Sequence, residues 1–154
     1  MKILKVIHGY PPTYNAGSEV YSQTLCHELA QRHHVEVFTR NENILVSDYQ
    51  YTQTQDPLDK RVRLHSINLL RERNLLKYSH DAVNTHFISV CERFKPDIVH
   101  IGHLNHLSID IVEHAWQLGI PIVYTLHDYW LMCPRGQFLQ RNSTPPDLPQ
   151  ENCA

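Results

Sequence analysis

The residues able to do chemistry gather in three short stretches. The first, "VIHGYPPTYNAGSEVYSQTL" (Val6–Leu25), passes from an apolar strand-like run to a helical one through Gly9, Pro11, Pro12 and Gly17. It has neither the G-x-G-x-x-G spacing of a dinucleotide fingerprint nor the G-x-x-x-x-G-K-[ST] of a P-loop. Ala16, Gly17 and Ser18 stand where the helix begins. Glycine there lets the backbone approach a ligand, and the free N–H groups of a first helical turn attract anions. Pro11 and Pro12 fix φ and stiffen the loop. These residues fit a phosphate or sugar cradle, and equally a rigid turn that holds nothing. The second stretch carries His100, His103 and His106, every third residue. They straddle a strand end and a loop, and no carboxylate completes a metal set. No metal site is expected, and His103 is taken as the one that faces a cleft. The third, "TLHDYWLMCPRG" (Thr125–Gly136), ends a strand in His127-Asp128. A histidine there can donate to a sugar hydroxyl or a phosphate. Asp128 is next in sequence and could fix its tautomer, although adjacent residues on a strand usually point to opposite faces. Tyr129 and Trp130 offer faces for a sugar, although most single aromatics serve a core or an interface.

Each stretch needs a strand to carry it. Ile3–His8 is a short apolar run and reads as a buried strand. Val20, Tyr21, Leu25, Leu29 and Ala30 recur at helical spacing between Ser18 and Arg32. Asn15 or Ser18 is placed to cap this helix, and His33 and His34 to close it against the dipole. His34–Thr39 alternates as a second strand, and Arg61–Asn68 as a third. Between them Asn41–Lys60 is polar and reads as an excursion. Val83, Phe87, Val90, Cys91 and Phe94 form one stripe of a helix from Ser79 to Phe94, stopped by Pro96. Ile98–Ile101 is a fourth strand. Leu104, Leu107, Ile111, Ala115 and Leu118 mark a third helix, ended by Gly119. Ile120–Leu126 is a fifth strand. Apolar strands alternating with amphipathic helices predict an α/β chain: a Rossmann-like, doubly wound parallel sheet covered on both faces. Ligands then bind beyond the carboxyl ends of the strands, where all three stretches lie.

The totals exclude some partners. The 154 residues carry a formal charge of -2 with 19% charged side chains, which speaks against nucleic acid. Cys26, Cys91, Cys133 and Cys153 are too widely spaced for a disulfide framework. The first two fall on apolar helix faces and read as buried thiols; the last two read as free, mobile thiols rather than a zinc site. No signal peptide is visible, and no run approaches the roughly 20 apolar residues that span a bilayer. A cytoplasmic protein is expected.

Taken in order, "VIHGYPPTYNAGSEVYSQTLCHELAQRHHVEVFTR", "KPDIVHIGHL" and "GIPIVYTLHDYWLMCPRGQ" resemble the N-terminal domain of the group 1 family of retaining nucleotide-sugar glycosyltransferases, which have the GT-B fold. The resemblance covers Met1 to about Gln140, weakly across Asn41–Lys60 and Leu69–Lys77. It implies a glycosyltransferase domain over residues 1–140 followed by a polar, proline-rich tail over 141–154. It implies that Ala16, Gly17 and Ser18 face the donor diphosphate and the acceptor, with Ala16 standing where a glycine is usual. It implies that His127 lies near the transferred sugar, as the catalytic-site histidine. His103, Asp128 and Tyr129 complete the expected substrate-binding set. The partners implied are a nucleotide-sugar donor, as co-substrate with no other cofactor, and a glycan, lipid-linked or small-molecule acceptor. The family's second, donor-binding domain with its two-glutamate motif has no counterpart in this sequence. The chain is therefore expected to be an inactive half of an enzyme, involved in making polysaccharide or related glycans.

Rival readings are a stand-alone acceptor-binding or regulatory module, an NAD(P)-dependent enzyme without its fingerprint, and a phosphohydrolase using Asp128 and the histidines. Arg71, Arg73 and Lys77 beside Leu69, Leu70, Leu75 and Leu76 suit an acceptor lid, a peripheral contact at the inner membrane face, or, most commonly, a plain amphipathic cover.

Overall fold

A computed structural model describes residues 1–70, 78–133 and 136–137. Its elements run β1 (Lys2–Val6), α1 (Gly17–Leu29), β2 (His34–Asn41), β3 (Tyr51–Gln55), β4 (Arg63–Asn68), α2 (Asp81–Phe94), β5 (Ile98–Ile101), α3 (Asp110–Gln117) and β6 (Ile122–Tyr124). The strands form one sheet in the order β3-β4-β2-β1-β5-β6. Every pairing is parallel except β3 with β4. This is the Rossmann-like α/β architecture that the alternating pattern predicts. β1 sits where the strand order reverses, with β2 on one side and β5 on the other, and that reversal opens a crevice at the carboxyl ends.

Period-2 alternation divides the buried residues between two faces. Leu4 and Val6, Phe38, and Val99 and Ile101 meet Val83, Phe87 and Val90 of α2 and Ile111 of α3 on one face. The Phe38 and Phe87 rings meet edge to face at 5.5 Å, a favoured geometry for such pairs. Ile3, Ile7, Val35 and Val37 form the other face with Tyr10 and Cys26 under α1. Cys26 and Cys91 are buried thiols, as expected, and burial pushes both up to about 12.

Four expectations need correction. The sheet has a sixth strand, β3, inside the stretch read as an excursion. Its sequence "YTQTQ" is half-exposed to exposed, so an edge strand with a solvated face presents no apolar signal. Helix α1 begins at Ala16 without a side-chain cap. Asn15 instead donates to the Pro12 carbonyl at 2.7 Å, and the Ser18 hydroxyl donates to Glu19 Oε2 at 2.9 Å. His33 and His34 lie past the helix end, and His34 opens β2 with its N–H on the Met1 carbonyl. Cys133 is fully buried rather than mobile. Residues Arg71–Lys77, Cys153 and the expected tail lie outside the described residues.

The seat of α1 departs furthest from its pattern. Val20 and Tyr21 are exposed, whereas Glu19, Ser22, Gln23 and Cys26 are buried. A polar seam can be buried only where partners meet it, and Asp56 is the main one. It is fully buried. Its Oδ2 accepts from Tyr10 Oη at 3.0 Å and Gln23 Nε2 at 3.1 Å, and meets His27 Nε2 at 2.9 Å. Its Oδ1 accepts the Leu58 and Asp59 amides at 2.8 and 3.2 Å. Burial works to raise its pKa, but the hydrogen bonds from His27, Leu58, Gln23 and Tyr10 outweigh it and hold the carboxyl below its ordinary value.

Lys5 is the other buried charge, 1% exposed at the centre of β1. Its Nζ lies 3.5 Å from His100 Nε2, and among the described residues no carboxylate pairs with it. A Cβ added at Gly102 would fall 3.0 Å from Nζ and 2.9 Å from Ile7 Cδ1, so glycine there makes room for the ammonium. Burial lowers the Lys5 pKa from 10.5 to about 8, a cost of roughly 3 kcal/mol to the folded state.

Two stability predictions follow from these charges. Asp56→Ala strands several buried donors and is expected to cost about 3–5 kcal/mol in urea unfolding near neutral pH. The Asp56 contribution is complete above the unfolded carboxylate pKa and is lost as pH falls through the lower folded value. A loss under about 1 kcal/mol would show that the hub is not what seats α1. Lys5→Met is expected to stabilise the chain at pH 7 by up to about 3 kcal/mol. Between pH 8 and 10.5 the unfolded lysine holds a proton that the folded one has lost, so wild-type stability gains with pH and the margin of Lys5→Met shrinks. Urea unfolding of both chains at pH 7 and pH 10 checks this.

Candidate functional site

At the carboxyl end of the sheet, four elements bring polar side chains together. His8 lies just past β1, and its Nε2 meets Glu19 Oε1 in the first turn of α1 at 3.0 Å. The His8 ring meets His103, just past β5, at 4.6 Å between centroids. His103 Nδ1 accepts the Asn105 amide at 3.0 Å. Its proton therefore sits on Nε2, which donates to Asp128 Oδ2 at 3.2 Å. Asp128 Oδ1 accepts the Trp130 amide at 2.9 Å. The result is a polar strip, Glu19–His8–His103–Asp128, running from α1 across β1 and β5 to the segment after β6.

Three imidazoles along this edge are pushed toward the neutral form. Burial, then the nearby His103, pushes His8 down to about 4. Burial and the Lys5 charge push His100 down to about 4 as well; its Nε2 lies 2.8 Å from Thr125 Oγ1. His127 is lowered by burial, then by Lys5 and His103. A neutral imidazole has one donor and one acceptor nitrogen. His8 gives its donor to Glu19 and keeps Nδ1 as an unpaired acceptor. Glu19 therefore orients a base whose free nitrogen can receive a hydroxyl proton or hydrogen bond.

Unpaired buried polar atoms concentrate here. His8 Nδ1, Tyr14 Oη, Ser22 Oγ, Thr39 Oγ1, Arg40 Nε and His127 Nε2 have no hydrogen-bond partner among the described residues. Folded proteins leave few such groups, and they mark places that water, ions or ligands complete. Arg40 is buried at the end of β2, bonded to Glu42, with its guanidinium 5.0 Å over the Tyr14 ring. A cavity of about 600 Å³ lies at the opposite, amino end, among Cys91, Pro96, Leu118 and Pro121. It holds none of these unpaired atoms, so volume alone does not locate the site.

The residues expected from sequence fall as follows. Ala16 is the extended N-cap of α1. A Cβ built on Gly17 meets nothing within 4 Å, so the backbone there faces open space. Ser18 is engaged with Glu19. His103 and Asp128 are brought together. That corrects the reading in which Asp128 orients His127: the pairing of β5 with β6 lays the two strand exits side by side and brings Asp128 to His103. His127 instead meets the Tyr21 ring edge-on at 5.1 Å, one turn beyond Gly17. Tyr129 is 56% exposed, and Trp130 stacks at 6.1 Å on Tyr78. Among the described residues no cluster of three His, Cys, Asp or Glu is arranged to hold a metal, and no helix is long and apolar enough to cross a membrane. Sequence reasoning did not single out Lys5, Glu19, Tyr21 or Arg40. Glu19 had a legible signal: an acid two residues past the glycine that opens the helix.

No curated protein is similar enough in sequence to count as a match. Among solved structures, sucrose-phosphate synthase from Thermosynechococcus elongatus matches with 15% identity and a TM-score of 0.52, over 85% of this chain and 34% of that one. A structure described as trehalose-6-phosphate from E. coli bound with UDP-2-fluoro glucose matches with 14% identity and a TM-score of 0.52, over 83% of this chain and 33% of that one. At such identities the likeness establishes the fold, and the chain spans about a third of the length of these neighbours. The profile of glycosyltransferase family 4 matches residues 15–148. With that match running from the β1–α1 loop through every later element, this chain belongs to glycosyltransferase family 4.

Proposed function

We infer that the chain is the acceptor-side half of a retaining GT-B glycosyltransferase, one that moves a sugar from a nucleotide-sugar donor to a hydroxyl of a glycan, lipid-linked or small-molecule acceptor. The observation that carries this reading is the gathering of unpaired buried polar atoms at the carboxyl edge, on His8, Tyr14, Thr39, Arg40 and His127. A polyol supplies donors and acceptors to such a set. Transfer builds positive charge on the donor sugar and negative charge on the leaving diphosphate, and fixed donors stabilise the latter. The uncapped first-turn amides of α1, open at Gly17, suit that anion. His127, neutral and with Nε2 unpaired, orients the sugar by a hydrogen bond rather than attacking it. His8, held by Glu19, receives a hydrogen bond from the acceptor hydroxyl. The nucleotide sugar serves as co-substrate with no further cofactor, and the remaining donor contacts belong to a second domain of the GT-B fold. The reaction is placed on the cytoplasmic side.

The test is sugar transfer by the enzyme carrying both GT-B halves, assayed against a panel of nucleotide sugars with the product's anomeric configuration read by NMR. Retention is expected, and the 154-residue chain alone is expected to unfold cooperatively but transfer nothing. His127→Ala should lower kcat about 10–100-fold, the scale of one positioned hydrogen bond, and leave the thermal transition of the chain in place. Wild-type kcat with both substrates saturating would remove His127 from the mechanism. Inverted product would overturn the retaining assignment.

A further inference from the structure

Beside the polar strip lies a cavity of different chemistry. It measures about 350 Å³ and is lined by Tyr78, Ile109, Trp130, Leu131, Met132 and Cys133, within the range of sites that take small molecules. Trp130 belongs to both regions. Its ring is 5.2 Å from His103 on one side and stacks at 6.1 Å and 27° on Tyr78 on the other. Its amide is held by Asp128, the same carboxylate that receives the His103 proton. Trp130 is therefore a wall that the cavity shares with the polar strip. Its rim is apolar: Ile109, Leu131 and Met132 are 43%, 59% and 67% exposed. Exposed apolar side chains scattered singly need no explanation, but several converging on one cavity next to a polar site mark a binding surface. The Tyr78 backbone is tied to the start of α3 through the Ile109 amide, so two walls of the cavity are fixed to the same corner of the fold.

We propose that this cavity binds an apolar group carried by the acceptor, an alkyl chain or an aromatic ring, while the hydroxyl that receives the sugar lies over His8 and His103. The inference rests on the acceptor-side reading above and narrows it to acceptors that are amphipathic rather than polar throughout. The aromatic pair supplies a flat wall for a ring, and Ile109 and Met132 supply aliphatic contact for a chain. Among the described residues that line it, none carries a charged side chain, which sets the cavity apart from the strip beside it.

Direct binding to the 154-residue chain tests it without any turnover. Trp116, 75% exposed on α3, is replaced by Phe so that Trp130 alone reports by fluorescence. Methyl, phenyl and n-octyl glucosides share one head group, and the octyl compound is kept below its micellar concentration. The expected result is saturable binding of the phenyl or octyl compound at least about tenfold tighter than that of methyl glucoside. An advantage for phenyl assigns the cavity to an aromatic group, and an advantage for octyl assigns it to a chain. Ile109→Asp and Met132→Asp, both at exposed positions, should abolish the margin with an unchanged thermal transition. Equal binding of all three compounds, no saturable signal with any, or a margin that survives both substitutions would each overturn the proposal. Transfer by the complete enzyme without preference for apolar acceptors would remove the role of the cavity and keep the glycosyltransferase reading. Binding here with no transfer by the complete enzyme would do the reverse.

Discussion

Helix α1 lies on the sheet by way of a buried carboxylate. Asp56 collects donors from the β1–α1 loop through Tyr10, from α1 through Gln23 and His27, and from the turn after β3 through the Leu58 and Asp59 amides. Three segments distant in sequence are thereby locked in one relation. The rotation of α1 about its axis depends on it. With Gln23 and His27 turned toward Asp56, Glu19 one turn earlier faces His8, and Tyr21 is carried to His127. A helix seated by its apolar residues would bury Val20 and Tyr21 and turn Glu19 away from the strand ends.

The same economy governs charge. The carboxyl edge is crowded with imidazoles, and their protonation would set like charges against one another and against Lys5 below. Burial pushes His8, His100 and His127 toward the neutral form, helped by His103 at His8 and by the Lys5 ammonium at His100 and His127. Neutral rings offer one donor and one acceptor each, which suits hydroxyl recognition better than a block of positive charge. On the proposed reading, the charge of a leaving diphosphate is met by amides of α1 and by the second domain, and the histidines are left to orient sugar.

Much of the fold was legible because burial on both faces leaves a plain trace. β1 and β5 carry short apolar runs, β2 and β4 alternate apolar with polar residues, and the stripes of α2 and α3 keep helical spacing up to Lys95 and Gly119. Lys95 adopts a left-handed φ of 53° before Pro96, and Gly119 one of 69°, so the stops at Pro96 and Gly119 were rightly placed. β3 was not legible, because a solvated edge strand needs no apolar residues. The cap of α1 was misplaced for a related reason: Asn15 and Ser18 are good caps in isolation, and both found tertiary or local acceptors instead.

By itself the sequence determined the alternation of strands and helices, and with it the parallel sheet and the end of that sheet where polar residues collect. Those features are set by periodicity, which is local. Only the tertiary structure decided the partners. Asp128 stands next to His127 in the chain yet serves His103, twenty-five residues away, because the pairing of β5 with β6 lays the two strand exits side by side. Glu19 reaches His8, and Asp56 reaches Tyr10, because the sheet order brings their elements together. Pairing of buried polar groups is a matter of distance and direction in space, to which spacing along the chain is blind.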